Sequence, residues 1–460
     1  MKIIRILVLI VVIFITSCKP NIPAEKVDYA ILSGKTIDYE GDLLLFKDYV
    51  LGPLKIEDDG SFKDTIKLER PVEYKLANSN GTTGIYLYPG ANLHVEISNQ
   101  DLLSAIKYSG NTAKESNYLL HKYTIVNKYS KENKTSVEPQ KTYTAIENLY
   151  QALVTKLEEF NLPKAFKIAE RRRLNYMRLN EFNSYKNRQL DDNKSFQLPK
   201  KYQDEIINLD INNEEDFHYT SRYRQLVLTQ ISNKAKEAKK KDSVTDLYNI
   251  KLKLIKAISN KYIKDEVAYK MTMNAMLGSS ISADKLNVIK NDFLSIATNE
   301  DKKNQIIEIY NETVTTASGQ PSPKFENYEN YKEGTTSLDD LKGKYVYIDI
   351  WATWCLPCIQ EIPALKKIEE QYHDKNIEFV SISVDSKKDF EKWKKFVKDK
   401  ALTGIQLFAD KSLSADFMKS YNVGGIPRFI LIGTEGEIIS SNAPRPSDKK
   451  FITLLNSLDI

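Results

Sequence analysis

The sequence predicts a multidomain chain: an N-terminal antiparallel β domain, an α-helical middle and a C-terminal α/β domain. Three observations carry this. Eight of the 17 glycines fall between Gly34 and Gly110, among short apolar runs. The 167 residues between Gly110 and Gly278 contain no glycine, and the 121 between Pro199 and Pro321 no proline. Such stretches suit helices. Beyond residue 324 strand-like and helix-like segments alternate, the order that builds a sheet flanked by helices. A length of 460 residues fits about three domains. With 41% hydrophobic and 28% charged residues, the chain is neither a polytopic membrane protein nor disordered throughout. Its net charge of +5 is too small to argue for nucleic acid.

The first element is a leader. Lys2 and Arg5 precede an unbroken apolar run, Ile6 to Ile15. A membrane span needs about 20 residues, so this run fits the core of a signal peptide over 1–17. The following Ile15-Thr16-Ser17-Cys18 resembles the lipobox of bacterial lipoproteins. That resemblance implies that Cys18 becomes the lipidated first residue, giving an exported protein held to a membrane by its lipid. Two acyl signals suffice for stable anchoring. Residues 18–26 read as a short linker. They lack the acidic run associated with surface-exported Bacteroidetes lipoproteins, so the expected location is the bacterial cell envelope, on the periplasmic side.

Residues 27–110 are expected to form a β-sandwich-like domain. Gly41 to Phe46 and Gly84 to Tyr88 are apolar runs bounded by turn residues. Asp59-Gly60, between the alternating segments of Leu54 to Ile66, predicts a tight hairpin. The region resembles the small β domain that precedes thioredoxin-like domains in Bacteroidetes lipoproteins. Residues 111–315 are expected to be helical. Leu247 to Ile258 places apolar residues at helical spacings, and Pro139, Pro163 and Pro199 mark breaks. Arg171-Arg172-Arg173 and the lysines of 234–241 read as solvated helix faces rather than anion-binding patches. Gly319 to Pro323 reads as a linker.

The C-terminal domain, 320–460, holds two of the three cysteines. Three cysteines cannot form a disulfide framework, so chemistry is expected of them. Tyr345 to Trp351 is a buried-strand run, Cys355 to about Tyr372 a helix and Ile377 to Val384 a second strand. Asp385 is placed as the N-cap of the next helix. Arg428 to Ile432 and Glu437 to Ser441 flank Gly433-Thr-Glu-Gly436 as a hairpin, and a last helix spans 447–458. Trp354-Cys355-Leu356-Pro357-Cys358 therefore follows a strand and opens a helix. Cysteines three apart are neighbours on a helix surface, so their sulfurs can close a reversible disulfide. At the helix N-terminus the dipole and free N–H groups favour a Cys355 thiolate, the form that attacks disulfides. Cys358, one turn in, is expected to be shielded and to resolve the mixed disulfide. Pro357 suits the first turn.

Ile348 to Cys358 resembles the thioredoxin superfamily signature, and within it the TlpA/ResA-type membrane-tethered disulfide reductases. The resemblance spans about a third of the chain. Asp349 matches the buried carboxylate of thioredoxins, and Glu361 the active-site glutamate of the TlpA/ResA type. Pro363 matches the proline that kinks the helix. Gly425-Ile426-Pro427 matches the loop whose cis-proline faces the cysteines, where substrate backbone adds like a strand at Ile426. Lys342-Gly-Lys344 also fits. Trp354 is expected at the rim of a substrate-binding surface and Trp351 in the packing. Buried carboxylates would carry raised pKa values and could move the Cys358 proton. The alternative is that Asp349 is a satisfied core group and Glu361 a surface residue.

Other uses of the motif fit less well. Zinc wants four ligands, and the third cysteine is the distant Cys18. Covalent haem needs a histidine where Ile359 stands. Ala352 occupies the position at which a peroxiredoxin places threonine. No cofactor and no metal is expected. Leu356-Pro357 lacks the histidine of strongly oxidising relatives, which favours the reducing branch. A reductase in an oxidising compartment requires a membrane electron donor. The resemblance implies oxidised exported proteins as substrates, apocytochrome c among them. The competing function is an envelope binding lipoprotein that uses the thioredoxin fold as a docking module.

Overall fold

The structure, a computed structural model, describes residues 27–460 except 40, 48–49, 99–101, 133–137, 194, 243, 279 and 410. The leader and Cys18 lie outside the described residues. The chain divides into two compact units. One comprises residues up to Ile206 with Glu215–Leu226; the other comprises Ile207–Glu214 and Val227–Ile460.

The first unit opens with strands Tyr29–Thr36 (β1), Leu44–Lys47 (β2), Val50–Pro53 (β3), Ser61–Lys67 (β4), Val72–Asn78 (β5), Gly81–Leu87 (β6) and Asn92–Ile97 (β7). A short helix, Leu102–Ala105 (α1), and strand Ile106–Gly110 (β8) complete them. They form two four-stranded sheets, ordered β4-β1-β7-β8 and β3-β2-β5-β6. All pairs are antiparallel except β1 and β7, which run parallel. Alternate residues such as Leu32, Leu76, Ile85 and Leu93 point into one shared core.

The hairpin expected at Asp59-Gly60 is limited to its turn: Glu57 N donates to Ser61 O at 2.8 Å across it, but residues 54–57 form no strand, and β3 and β4 belong to different sheets. The turn itself is present. Gly60 adopts φ +80°, its N–H donates to Glu57 O at 2.8 Å, and Asp59 accepts from Ser61 N at 2.9 Å. Leu54 and Phe62 both enter the common core, so the segment carries the chain from one layer to the other.

Helix Ala113–Glu132 (α2) packs on β6. Gly84 permits this close approach: a Cβ there would lie 2.9 Å from the Tyr123 ring and 3.2 Å from Leu119. Helices Pro139–Glu159 (α3) and Lys164–Asp192 (α4) follow, then Lys200–Ile207 (α5), Glu214–Tyr219 (α6) and Ser221–Lys241 (α7). Pro139 opens α3 and Pro163 caps α4, and Pro199 directly precedes α5. The arginine run is not a solvated face. Arg173 is 7% exposed and lies 3.3 Å over the Tyr219 ring. Arg172 Nε donates to the buried Asp216 at 2.8 Å, while Arg171 pairs with Glu158. Burying Arg173 and half-burying Arg172 is tolerable because α6 supplies both carboxylates and an aromatic face.

The second unit contains Leu247–Lys256 (α8), Lys261–Met276 (α9), Ala283–Ile296 (α10) and Glu300–Val314 (α11). Asp246, Asn260, Ser282 and Asn299 each cap one of these helices through their side chains. The C-terminal sheet follows, built from Tyr328–Asn330 (β9), Thr335–Thr336 (β10), Tyr345–Trp351 (β11), Ile377–Ser383 (β12), Ile405–Phe408 (β13), Arg428–Ile432 (β14) and Ile438–Ser440 (β15). Its order is β10-β9-β13-β12-β11-β14-β15. β11 is an interior strand, parallel to β12 and antiparallel to β14. Helices Leu356–Gln371 (α12), Phe390–Asp399 (α13), Asp416–Ser420 (α14) and Lys449–Leu455 (α15) surround it.

Two expectations change here. Gly319 to Pro323 is not a free linker: Gly319 N donates to Ile438 O at 2.7 Å and Ser322 N to Gly436 O at 2.9 Å, alongside β15. Asp385 is not a helix cap. It is fully buried, and the chain instead enters a turn of 3-10 helix at Lys387 with Ser386 before it.

Candidate active site

The site is placed by strand ends. β11 and β14 pair in register from Val346 with Ile432 to Ile350 with Arg428. The Trp354–Cys358 turn leaves β11 and Ile426-Pro427 enters β14, so both lie at the same end of this pair. Ile426 packs against the cluster that contains Cys355 and Cys358. The Ile426–Pro427 peptide is cis. Arg428 Nε donates to Ser441 O at 2.9 Å, which ties the start of β14 to the β15 side.

Cys355 is the N-cap of α12, with Pro357 in the first turn. It is joined to Cys358 in a disulfide. Cys355 Sγ accepts the Cys358 N–H at 3.2 Å. That contact is a free N-terminal donor of the helix aimed at the sulfur that would carry thiolate charge. The expected contrast in exposure is absent in this oxidised state: Cys355 is 4% and Cys358 3% exposed. Their surroundings differ instead. Cys358 borders a small internal cavity shared with Asp349, while Cys355 is flanked in sequence by Trp354 and Leu356, which are 58% and 64% exposed. Two exposed apolar side chains beside a redox pair form a surface on which an unfolded or extended substrate can rest.

Asp349 and Tyr347 share the face of β11 that α12 covers through Leu365 and Ile368. Asp349 is 8% exposed, and its Oδ1 has no hydrogen-bond partner. Burial, with smaller contributions from Glu369 and Glu361, pushes its pKa up to about 8. It is thus a carboxyl poised to exchange a proton near neutral pH. Glu361 is buried as well, but its carboxylate is occupied. Ser447 donates to it from N at 3.0 Å and from Oγ at 2.9 Å, and Arg445 lies at 3.9 Å. It fastens the turn before α15 to the second turn of α12.

Sequence reasoning misplaced one residue here, Asp385, and passed over another, Glu369. Asp385 accepts from Thr353 N at 2.9 Å and Thr353 Oγ1 at 2.8 Å, two residues before Cys355, and from Ser383 Oγ at 2.8 Å. Nothing local signals this contact, because Thr353 and Asp385 come from different loops. Glu369 borders the cavity beside Cys358. Its signal was available: it lies three helical turns beyond Cys358 on the same face of α12. Among the described residues no cluster of histidine, cysteine or acidic side chains has metal-ligand geometry.

With this geometry in view, the likeness to known proteins is informative. Residues 317–455 match the Redoxin family model. The chain is 36% identical over 121 residues to the thioredoxin-like protein YneN of Bacillus subtilis, covering 26% of this chain and 68% of YneN. This chain belongs to the TlpA/ResA-type thioredoxin-like family. It is also 32% identical over 102 residues to the thiol-disulfide oxidoreductase ResA of Bacillus cereus, spanning 22% of this chain and only 56% of ResA. The crystal structure of a putative thiol-disulfide oxidoreductase from Bacteroides vulgatus is 37% identical, with a TM-score of 0.28, covering 31% of this chain and 97% of that one. The family membership rests on the C-terminal domain, which is a thiol–disulfide oxidoreductase domain. The remaining two thirds of the chain lie outside these matches.

Proposed function

We propose that the whole protein is a lipid-anchored thiol–disulfide oxidoreductase that reduces disulfides of exported proteins in the bacterial cell envelope. The observation that carries this reading is the Cys355–Cys358 disulfide at the head of α12, with Asp349 behind it and Trp354, Leu356 and Ile426 around its mouth.

In the reduced enzyme, the Cys355 thiolate attacks a substrate disulfide and forms a mixed disulfide. One substrate sulfur leaves and takes a proton. Cys358 then gives its proton to a base and attacks Cys355 Sγ, releasing the second substrate thiolate and closing the Cys355–Cys358 bond. Two electrons pass from the dithiol to the substrate disulfide. Asp349, half-ionised near pH 8, is the base nearest in chemistry to this task. The substrate's extended backbone is supported at Ile426, ahead of Pro427, by strand-like pairing.

Leu356-Pro357 between the cysteines supports the reducing direction, since no imidazolium is there to favour the dithiol. The apolar run Ile6–Ile15 and the lipobox-like Ile15 to Cys18 support export and anchoring at Cys18. A reductase so placed takes its electrons from a membrane donor. Its substrates are oxidised exported proteins, with apocytochrome c the first to test. A Cys18→Ala protein should lose its acyl label and leave the detergent phase; retained label and membrane binding would refute the anchor. Residues 19–460, which retain every described element, should reduce insulin when dithiothreitol supplies electrons. Inertness in that assay would favour the docking-module reading.

A further inference from the structure

The cavity beside Cys358 is lined by residues of four elements. Asp349 and Trp351 of β11, Ser381 of β12, Gln406 of β13 and Glu369 of α12 all border it. Its volume, about 10 Å³, is close to that needed by a single water. Three of its lining residues carry a buried polar atom with no hydrogen-bond partner: Asp349 Oδ1, Trp351 Nε1 and Gln406 Oε1. A buried polar atom is rarely left orphaned in a native interior, and two acceptors with one N–H donor around one small cavity indicate a polar guest that bridges them.

The cavity also has a way out. Glu369, Lys366 and Thr403 border it and also border an open groove on the surface. Glu369 is half-buried and accepts a hydrogen bond from Thr403 Oγ1. The loop at Gly404 comes close enough that a Cβ there would lie 2.9 Å from Glu369 Oε1. The carboxylate is therefore held between interior and solvent. We propose that Glu369 is the outer station of a proton path whose inner station is Asp349 and which serves Cys358.

This rests on the oxidoreductase reading and assigns the path by which its proton leaves. When Cys358 resolves a mixed disulfide, its S–H proton passes to the Asp349 carboxylate. The new thiolate forms the bond to Cys355 Sγ, and the bond from Cys355 to the substrate sulfur breaks. The proton on Asp349 then crosses the cavity to Glu369 and from there enters solvent. When the Cys355–Cys358 disulfide is reduced, the same proton returns by the same route. Burial raises the pKa of Glu369, against the opposing effects of Thr403 and Lys366. The other ionisable groups facing this pair are Glu361 and Lys366 on α12 and Tyr347 on β11. Glu361 is taken up by Ser447 and Arg445, and burial keeps the Tyr347 phenol neutral.

The test uses residues 19–460, reduced and mixed with Ellman's reagent in a stopped-flow instrument. The first thionitrobenzoate released reports attack by Cys355, and the second reports resolution by Cys358. A Glu369→Gln protein should keep the first phase within about twofold and slow the second by about threefold or more at pH 7. The pH dependence of the second phase should shift to lower pH, because a like charge beside Asp349 has gone. Glu369→Asp should recover most of the rate. In an Asp349→Asn background, Glu369→Gln should add almost nothing, since the two act in one path. A second phase unchanged at every pH, or a slowing that persists in full beside Asp349→Asn, or no recovery with aspartate, overturns the proposal. The probe is not a protein, so the two readings separate. A wild type that shows both phases but reduces no protein disulfide loses the substrate assignment and keeps the path.

Discussion

Two regions of this molecule bury carboxylates, and they treat them in opposite ways. In the first unit, Glu170 is fully buried but accepts from Lys122 Nζ at 3.0 Å and Tyr118 OH at 3.2 Å. Glu73 receives Lys122 at 3.0 Å and Tyr123 OH at 3.0 Å. Burial works to raise the Glu73 pKa, but Lys122 outweighs it and the net shift is downward. Glu170 and Asp349 each keep one buried oxygen without a hydrogen bond, so the contrast lies in charge. Glu170 has the Lys122 cation, whereas Asp349 in the C-terminal domain faces acidic neighbours and its pKa rises to about 8. A buried carboxylate that is paired holds structure together. One left unpaired gives up stability and gains a proton that can move. The difference separates a scaffold from a reaction centre without reference to any motif.

The sharpest way to break the comparison is to remove a reacting group. Cys355→Ser should abolish insulin reduction, by roughly a thousandfold or more, while Cys358→Ser should accumulate dithiothreitol-sensitive adducts on Cys355. Equal trapping by both variants would show the assigned roles to be wrong. Next in size, Asp349→Asn should change stability with the sign that a raised pKa dictates. The folded protein binds this proton more tightly than the unfolded chain. The stability it confers is present below the unfolded pKa of 3.8 and is lost as pH rises toward the folded value of about 8. Relative to wild type, the variant should therefore gain stability from pH 4 to pH 9, by on the order of 5 kcal/mol across the range. Parallel stability curves would show that Asp349 is ordinary.

Lys122→Ala probes the other region. It leaves two buried carboxylates facing each other and should destabilise the first unit by about 3 to 5 kcal/mol. Insulin reduction at a temperature where both proteins are folded should stay within about twofold, because no reacting group is in that unit. A collapse of activity in the folded variant would erase the distinction between the regions. The smallest effect is expected from Asp385→Asn. It weakens the hold on Thr353 by about 1 to 3 kcal/mol and should slow alkylation of reduced Cys355 modestly; no change would leave Asp385 a purely structural anchor.

These residues also mark how far the sequence could be read. The redox centre was legible because strand, turn, cysteine pair and helix are contiguous in sequence, and β11, α12 and β12 sit where their patterns place them. The short strands β9, β10 and β13 were missed because they are two to four residues long, too short to show a period. Asp59-Gly60 encoded a turn correctly, but which sheet each arm joins is decided by Leu54 and Phe62 reaching a common core. Arg172 and Arg173 looked solvated because their partners, Glu215 and Asp216, lie more than 40 positions away. Asp385 was misplaced for the same reason. Asp349 was flagged by resemblance, yet its lack of a partner is visible only when every neighbouring element is in place.

The most direct test of the account is the charge state of Asp349 itself. Infrared difference spectra of the oxidised protein, wild type minus Asp349→Asn, isolate the stretch of this one protonated carboxyl. The band should be present at pH 6, be half lost near pH 8 and be gone by about pH 10. A carboxyl already ionised at pH 6 would contradict the claim that this site keeps its proton for the cysteines.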